Sequence, residues 1–205
     1  MFGFGPDMIF RIPALLIALT VHEYAHARMA VAFGDPTPRI AGRVTLNPIA
    51  HLDPFGLIML WVAQFGWAKP VPINPYNFRN GKTGVILVSL AGVAANFLTA
   101  LICAILLKLT GRTMLPAEVD WVLQLTVQYN IILAVFNLIP IPPLDGSQIV
   151  TALLPGRQAY AYESIGRYGP FILMALVITG IIGTSMRPFM IALIHLINFI
   201  VSLIL

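Results

Sequence analysis

The residues best suited to chemistry are His22-Glu23-Tyr24-Ala25-His26. On a helix, positions i and i+4 share a face, so His22 and His26 can reach one Zn²⁺ while Glu23 beside them acts on a water as general base. Two histidines leave a catalytic zinc one protein ligand short. Outside the motif the candidates are His51, His195, Asp7, Asp35, Asp53, Asp120, Asp145, Glu118, Glu163 and Cys103. Asp145 stands out because it closes the stretch NLIPIPPLDG (137–146), whose three prolines cannot sit in a helix interior. Unwound backbone is tolerated at membrane depth only where it is buried in protein or lines a wet cavity, and such a segment is suited to deliver a carboxylate. His51 and Asp53 are alternative ligands, although a loop-capping role beside Pro54 suits them better.

These residues need elements to position them, and composition defines the setting. Of 205 residues 59% are hydrophobic and only 10% charged, with a mean hydropathy of +0.88; a soluble domain carries about a quarter charged residues. The net charge of +4 forms no basic block, which excludes nucleic acid as a partner. The single cysteine, Cys103, excludes a disulfide framework. A bilayer core of roughly 30 Å takes about 20 apolar residues to cross as a helix. Residues 84–107, 121–144, 168–186 and 188–205 meet that test, and 8–33 is apolar but interrupted by Arg11, His22, Glu23, His26 and Arg28. The N-terminus has no basic region ahead of its apolar part, so 8–33 is expected to remain in the mature protein. The run 54–67 is too short for a span and reads as re-entrant or interfacial. On either side, Arg43–Leu46 and Pro70–Ile73 read as short β-like pieces between turns. The expected fold is an all-α polytopic membrane protein of about five spans, with a re-entrant element and a small β-rich surface segment, in one domain over 1–205.

Two histidines and a glutamate inside an apolar span cost several kcal/mol unless satisfied or bound to an ion, so such residues are functional by default. The bland alternative pairs Glu23 with Arg28 and hydrogen-bonds the histidines to neighbouring helices. HEYAH in the first span and NLIPIPPLDG after a later one resemble the two signature motifs of the site-2 protease family of intramembrane zinc metalloproteases. GRVTLNPIAHLDPFG (42–56), GWAKPVPINP (66–75) and LAGVAANF (90–97) resemble stretches of its compact prokaryotic members, so the likeness runs from about residue 18 to 148. It implies zinc held by His22, His26 and Asp145, with Glu23 activating the water. It also implies that Asn137, and Asn96 of Gly92-x-x-x-Asn96, position substrate or stabilise the oxyanion; for Asn96 an interhelical hydrogen bond is an equal alternative. Family members often carry Pro after that glycine, where this chain has Val93.

For Asp145 to share a metal with His26, the chain must cross the membrane an even number of times between them. Spans 84–107 and 121–140 supply two crossings, which requires 54–67 to enter and leave by one face. Arg28, Arg39, Arg43, Lys69, Arg79, Lys82, Arg157 and Arg167 then lie on the metal-proximal side, and Arg11, Lys108, Arg112 and Arg187 on the other. That bias predicts an active site nearer the cytoplasmic face of the cell membrane. The expected partners are the lipid bilayer and a membrane-protein substrate, whose transmembrane helix must unwind before cleavage; residues 69–76 could take the unwound segment by strand addition. A homo-oligomer is left open. The rival readings are a membrane metal-ion transporter and a non-catalytic metal-binding membrane protein. Glu23 speaks against the first, since a transport site has no need of a base beside a ligand, and the intact HExxH with Asp145 speaks against the second.

Overall fold

The computed structural model describes residues 8–56, 58 and 67–205. Its centre is three long helices: α1 (Met8–Ala32), α2 (Gly81–Met114) and α3 (Ala117–Asn137), each packed against the other two. The 25 residues of α1 span about 37 Å, more than a bilayer core. Its contact face is built from alanines, and Ala14, Ala18, Ala27 and Ala30 have no exposed surface. Small residues let helix backbones approach closely where lipid offers no hydrophobic drive for association. Ala14 and Ala18 meet Leu125 and Tyr129 of α3, and Ala30 meets Val88 of α2 and Phe78 of the loop before it.

After α3 the chain unwinds through 138–144 and re-forms as α4 (Asp145–Leu153), followed by α5 (Gly156–Ser164), α6 (Gly169–Ile178) and α7 (Ile181–Ile204). Val135, Leu144, Leu173, Ile182 and Met186 form one apolar cluster that packs the unwound segment against α6 and α7. The outer face of α7 leaves Phe189, Phe199 and Leu203 exposed, as a lipid-facing helix should. This is an all-α membrane protein.

Several expectations need correction. Among the described residues four helices, not five, are long and apolar enough to span: Met8–Ala32, Gly81–Gly111, Ala117–Asn137 and Ile181–Ile204. The expected span 168–186 is α6, whose ten residues cover about 15 Å, half a bilayer core. The break comes at Gly180, which has φ of 75°, and α7 runs on through Pro188. The expected span 121–144 stops at Asn137 for the reason its prolines suggest. The β-rich surface segment is also absent among the described residues, where a single antiparallel bridge, Leu52 to Ala68, is the only pairing. Pro70 and Pro72 lack the N–H that a ladder requires, so the second β-like piece pairs with no strand among the described residues. Most of the expected re-entrant run 54–67 lies outside the described residues.

Candidate active site

In the last three turns of α1, His22 and His26 face α2, and the start of α4 brings Asp145 against them. The three donor atoms form a nearly regular triangle: His22 Nε2 to His26 Nε2 is 2.9 Å, and each is 3.2 Å from Asp145 Oδ2. The network fixes which ring nitrogens carry protons. Asn96 Nδ2 donates to the Ala18 carbonyl (3.0 Å), which can only accept, so Asn96 Oδ1 faces His22 Nδ1 at 2.7 Å and the ring must donate there. His26 Nδ1 likewise donates to the Val88 carbonyl at 2.8 Å. In each neutral ring, Nε2 is therefore a bare lone pair. Two lone pairs and a carboxylate oxygen converge on one point, and Asp145 Oδ2 is buried with no hydrogen-bond donor. A cation at that point removes the conflict. Zinc with bonds of about 2.0–2.1 Å in tetrahedral geometry needs donor separations of about 3.3 Å, close to those present, so the residues fit the ion.

Gly92 explains how α2 comes so near. A Cβ built there would lie 2.4 Å from His26 Nε2 and 2.5 Å from His22 Cε1, so any side chain would collide with the donor set. Asn96, one turn on, is fully buried; its Nδ2 also donates to Asn130 Oδ1 of α3 (2.8 Å), and Asn130 Nδ2 donates to the Thr126 carbonyl. Asn96 is thus occupied by His22, Ala18 and Asn130, and does not line the cavity beside the donors. Asn130, which the motif reading passed over, lies seven residues before Asn137 on the same helix; that i, i+7 spacing is its sequence signal. On the other side of the donors, Gly146 lets the carbonyl of Leu138 pass where a Cβ would meet it at 2.3 Å, which keeps Asp145 against the histidines.

A cavity of about 310 Å³ opens beside the donors, lined by Glu23, Val71, Ile73, Asn137 and Gln148 among others. Glu23 is not paired with Arg28: its Oε2 accepts the Val71 N–H at 3.1 Å. Asn137 stands at the wall, its Nδ2 on the Leu133 carbonyl (3.0 Å) and its Oδ1 available. Gln148, three residues past Asp145 on α4, also reaches the cavity. The extended piece 69–74 forms one side and is tied down at its far end by Asp35. That buried carboxylate accepts from Asn74 N (2.7 Å), Asn77 Nδ2 (2.8 Å) and both Thr37 N and Oγ1. Burial acts to raise the Asp35 pKa, but these donors outweigh it and hold the carboxyl below its ordinary value. The alternative ligands lie elsewhere: Asp53 Oδ1 accepts from Gly56 N–H (2.8 Å), and His51 is buried against Arg43 and the Thr45 carbonyl.

Comparison with known proteins supplies the family. The model of "Peptidase family M50" matches residues 112–179. The "Putative zinc metalloprotease YwhC" of Bacillus subtilis (strain 168) is 40% identical over 178 residues, covering 84% of this chain and 81% of that protein. The chain belongs to peptidase family M50. Two mycobacterial proteins named "Putative zinc metalloprotease Rip2" agree. That of Mycolicibacterium smegmatis is 33% identical, over 83% of this chain and 67% of its own length; that of Mycobacterium tuberculosis (strain H37Rv) is 30% identical, over 82% and 64%. No solved structure matches. This M50 member is a zinc metalloprotease of the intramembrane, site-2 type, and a transporter finds no support among its relatives.

Proposed function

We propose that this peptidase cleaves transmembrane segments of other membrane proteins, with His22, His26 and Asp145 holding the zinc, Glu23 as general base and acid, and Asn137 contacting the substrate. The observation that carries the ligand assignment is the convergence of three proton-free donors, one of them an orphaned buried carboxylate oxygen. Zinc, when bound, lowers the pKa of water toward ~7 and polarises the scissile carbonyl. Glu23 accepts the proton that water loses as its oxygen attacks the carbonyl carbon, then delivers that proton to the nitrogen that leaves as the amine. Val71 N–H holds Oε2 during both transfers. For Asn96 the hydrogen bond to His22 favours a role in orienting the ligand over one in contacting substrate.

The substrate must present an extended backbone, because a helix hides its amides. Residues 69–73 offer it one usable side: Pro70 and Pro72 have no N–H, while Ile73 N–H makes no hydrogen bond among the described residues. Strand addition through the Val71 carbonyl and the Ile73 N–H would lay the scissile bond past Glu23. The Lys/Arg bias favours the cell membrane with the active site nearer the cytoplasmic face, and 1–205 works as one domain. The test is Glu23→Gln, purified in detergent and given a single-span transmembrane peptide. Zinc content should match wild type while hydrolysis falls by roughly 10² or more. Cleavage at the wild-type rate would overturn the assignment.

A further inference from the structure

The loop before α2 contains a buried charge that the reaction as described leaves unused. Arg43 is 5% exposed, and its guanidinium is aimed at backbone. Nη1 donates to the Pro70 carbonyl (3.1 Å) and Nη2 donates to the Lys69 carbonyl. His51, 1% exposed, closes the arrangement: its Nε2 donates to the Thr45 carbonyl (2.9 Å), which leaves Nδ1 to accept from Arg43 Nη2 at 3.3 Å. Lys69 N–H returns to the His51 carbonyl at 2.9 Å. Burial works against the Arg43 charge, and the nearby Glu23 carboxylate works for it. A buried guanidinium spent on two consecutive carbonyls fixes the peptide plane that follows them, and the next N–H along the chain is Val71, the group bonded to Glu23 Oε2.

We propose that Arg43, braced by His51, is a positioning residue for hydrolysis: it clamps the Lys69 and Pro70 carbonyls and so aims the Val71 N–H that holds the Glu23 carboxylate. A flat, forked guanidinium can serve both carbonyls and His51 at once; an ammonium cannot. The clamp leaves the metal donors untouched, so it acts on turnover without acting on zinc. The inference rests on Glu23 as the base.

The test uses Arg43→Lys, Val71→Pro and the double variant, full-length in detergent micelles, with an internally quenched single-span transmembrane peptide that wild type cleaves. Val71→Pro removes the N–H at the end of the proposed linkage. Each single variant should lower kcat roughly tenfold or more, with KM within about twofold of wild type and zinc stoichiometry unchanged. The double variant should be no slower than the slower single, because both changes break one linkage. In a further variant, Arg43→Ala, added guanidinium at millimolar concentration should restore part of the kcat, and no restoration would count against the clamp. Losses that multiply in the double variant, losses confined to KM, or activity falling in step with zinc would each overturn the proposal. Should Arg43→Lys not fold, Val71→Pro alone decides: a wild-type kcat there refutes it. A normal Glu23→Gln result alongside wild-type turnover in these variants refutes the clamp and leaves the base in place.

Discussion

Replacing Gly92 by Ala adds a single methyl group, and its consequences follow from the distances. Real Cβ contacts rarely fall below 3.4 Å, and this one would stand 2.4 Å from His26 Nε2, so about 1 Å of movement is needed. Helix α2 cannot retreat cheaply, since Asn96 one turn away is bonded to both α1 and α3. The imidazoles must therefore yield. A metal site tolerates only about 0.5 Å before its geometry fails. Overpacking of this kind costs about 1–3 kcal/mol, and if that falls on the liganded state it is roughly a 5- to 150-fold loss of zinc affinity. Competition against a chelator of known affinity, read by metal analysis, measures it. Gly84→Ala is the control: its Cβ would press on the Phe78 side chain at 2.9 Å and has no metal donor among its nearest neighbours, so it should lower thermal stability and leave zinc affinity alone. If Gly92→Ala binds zinc as wild type does, or if Gly84→Ala loses zinc equally, the reasoning from helix contact fails.

Three further outcomes are expected. Asp145→Ala should lose zinc and activity while Asp53→Ala, which removes only a loop cap, keeps both; zinc retention that follows Asp53 in metal analysis would refute the ligand set. Asn96→Ala and Asn130→Ala should weaken zinc binding, Asn96→Ala by about 10–100-fold and Asn130→Ala by less, because the first removes the acceptor of His22 Nδ1–H and the second only its support; an unchanged affinity in both sinks the relay. Asp35→Asn should lower the melting temperature at neutral pH. Because the folded-state pKa of Asp35 is depressed, the wild type's advantage over Asp35→Asn is fully present above the unfolded value near 3.9 and shrinks as pH falls below it. A melting difference that does not change between pH 6 and pH 3 would contradict it.

The sequence makes the catalytic face readable because helical spacing is rigid: His22 and His26 four residues apart can point nowhere but together, and prolines 140, 142 and 143 force the unwinding that brings Asp145 round. It says less about partners. A lone Asn96 in an apolar helix announces a hydrogen bond but not its recipient, since that depends on which helix crosses which. The last membrane span is misjudged for a related reason. The expected spans 168–186 and 188–205 part at Arg187, yet the helix runs on through Pro188, whose lost N–H costs little near the start of α7, and the left-handed Gly180 makes the turn. Arg43, counted by its charge on the metal-proximal side, is buried, its guanidinium serving two carbonyls that no strand partner supplies among the described residues. The β-like piece 70–73 forms no ladder among the described residues, since Pro70 and Pro72 have no N–H to give one.

The hydrogen-bond chain from His22 through Asn96 to Asn130 joins three helices that are separated in sequence. No single helix holds a complete set of parts: on the proposed assignment α1 brings two imidazoles and the carboxylate base, α2 sets one ring's tautomer and makes room through Gly92, α3 supports that setting, and α4 adds the last donor. On the proposed ligand set the donors meet only where α1, α2 and α4 pack together. A chain whose helices had not yet packed would carry the parts of the site without the site.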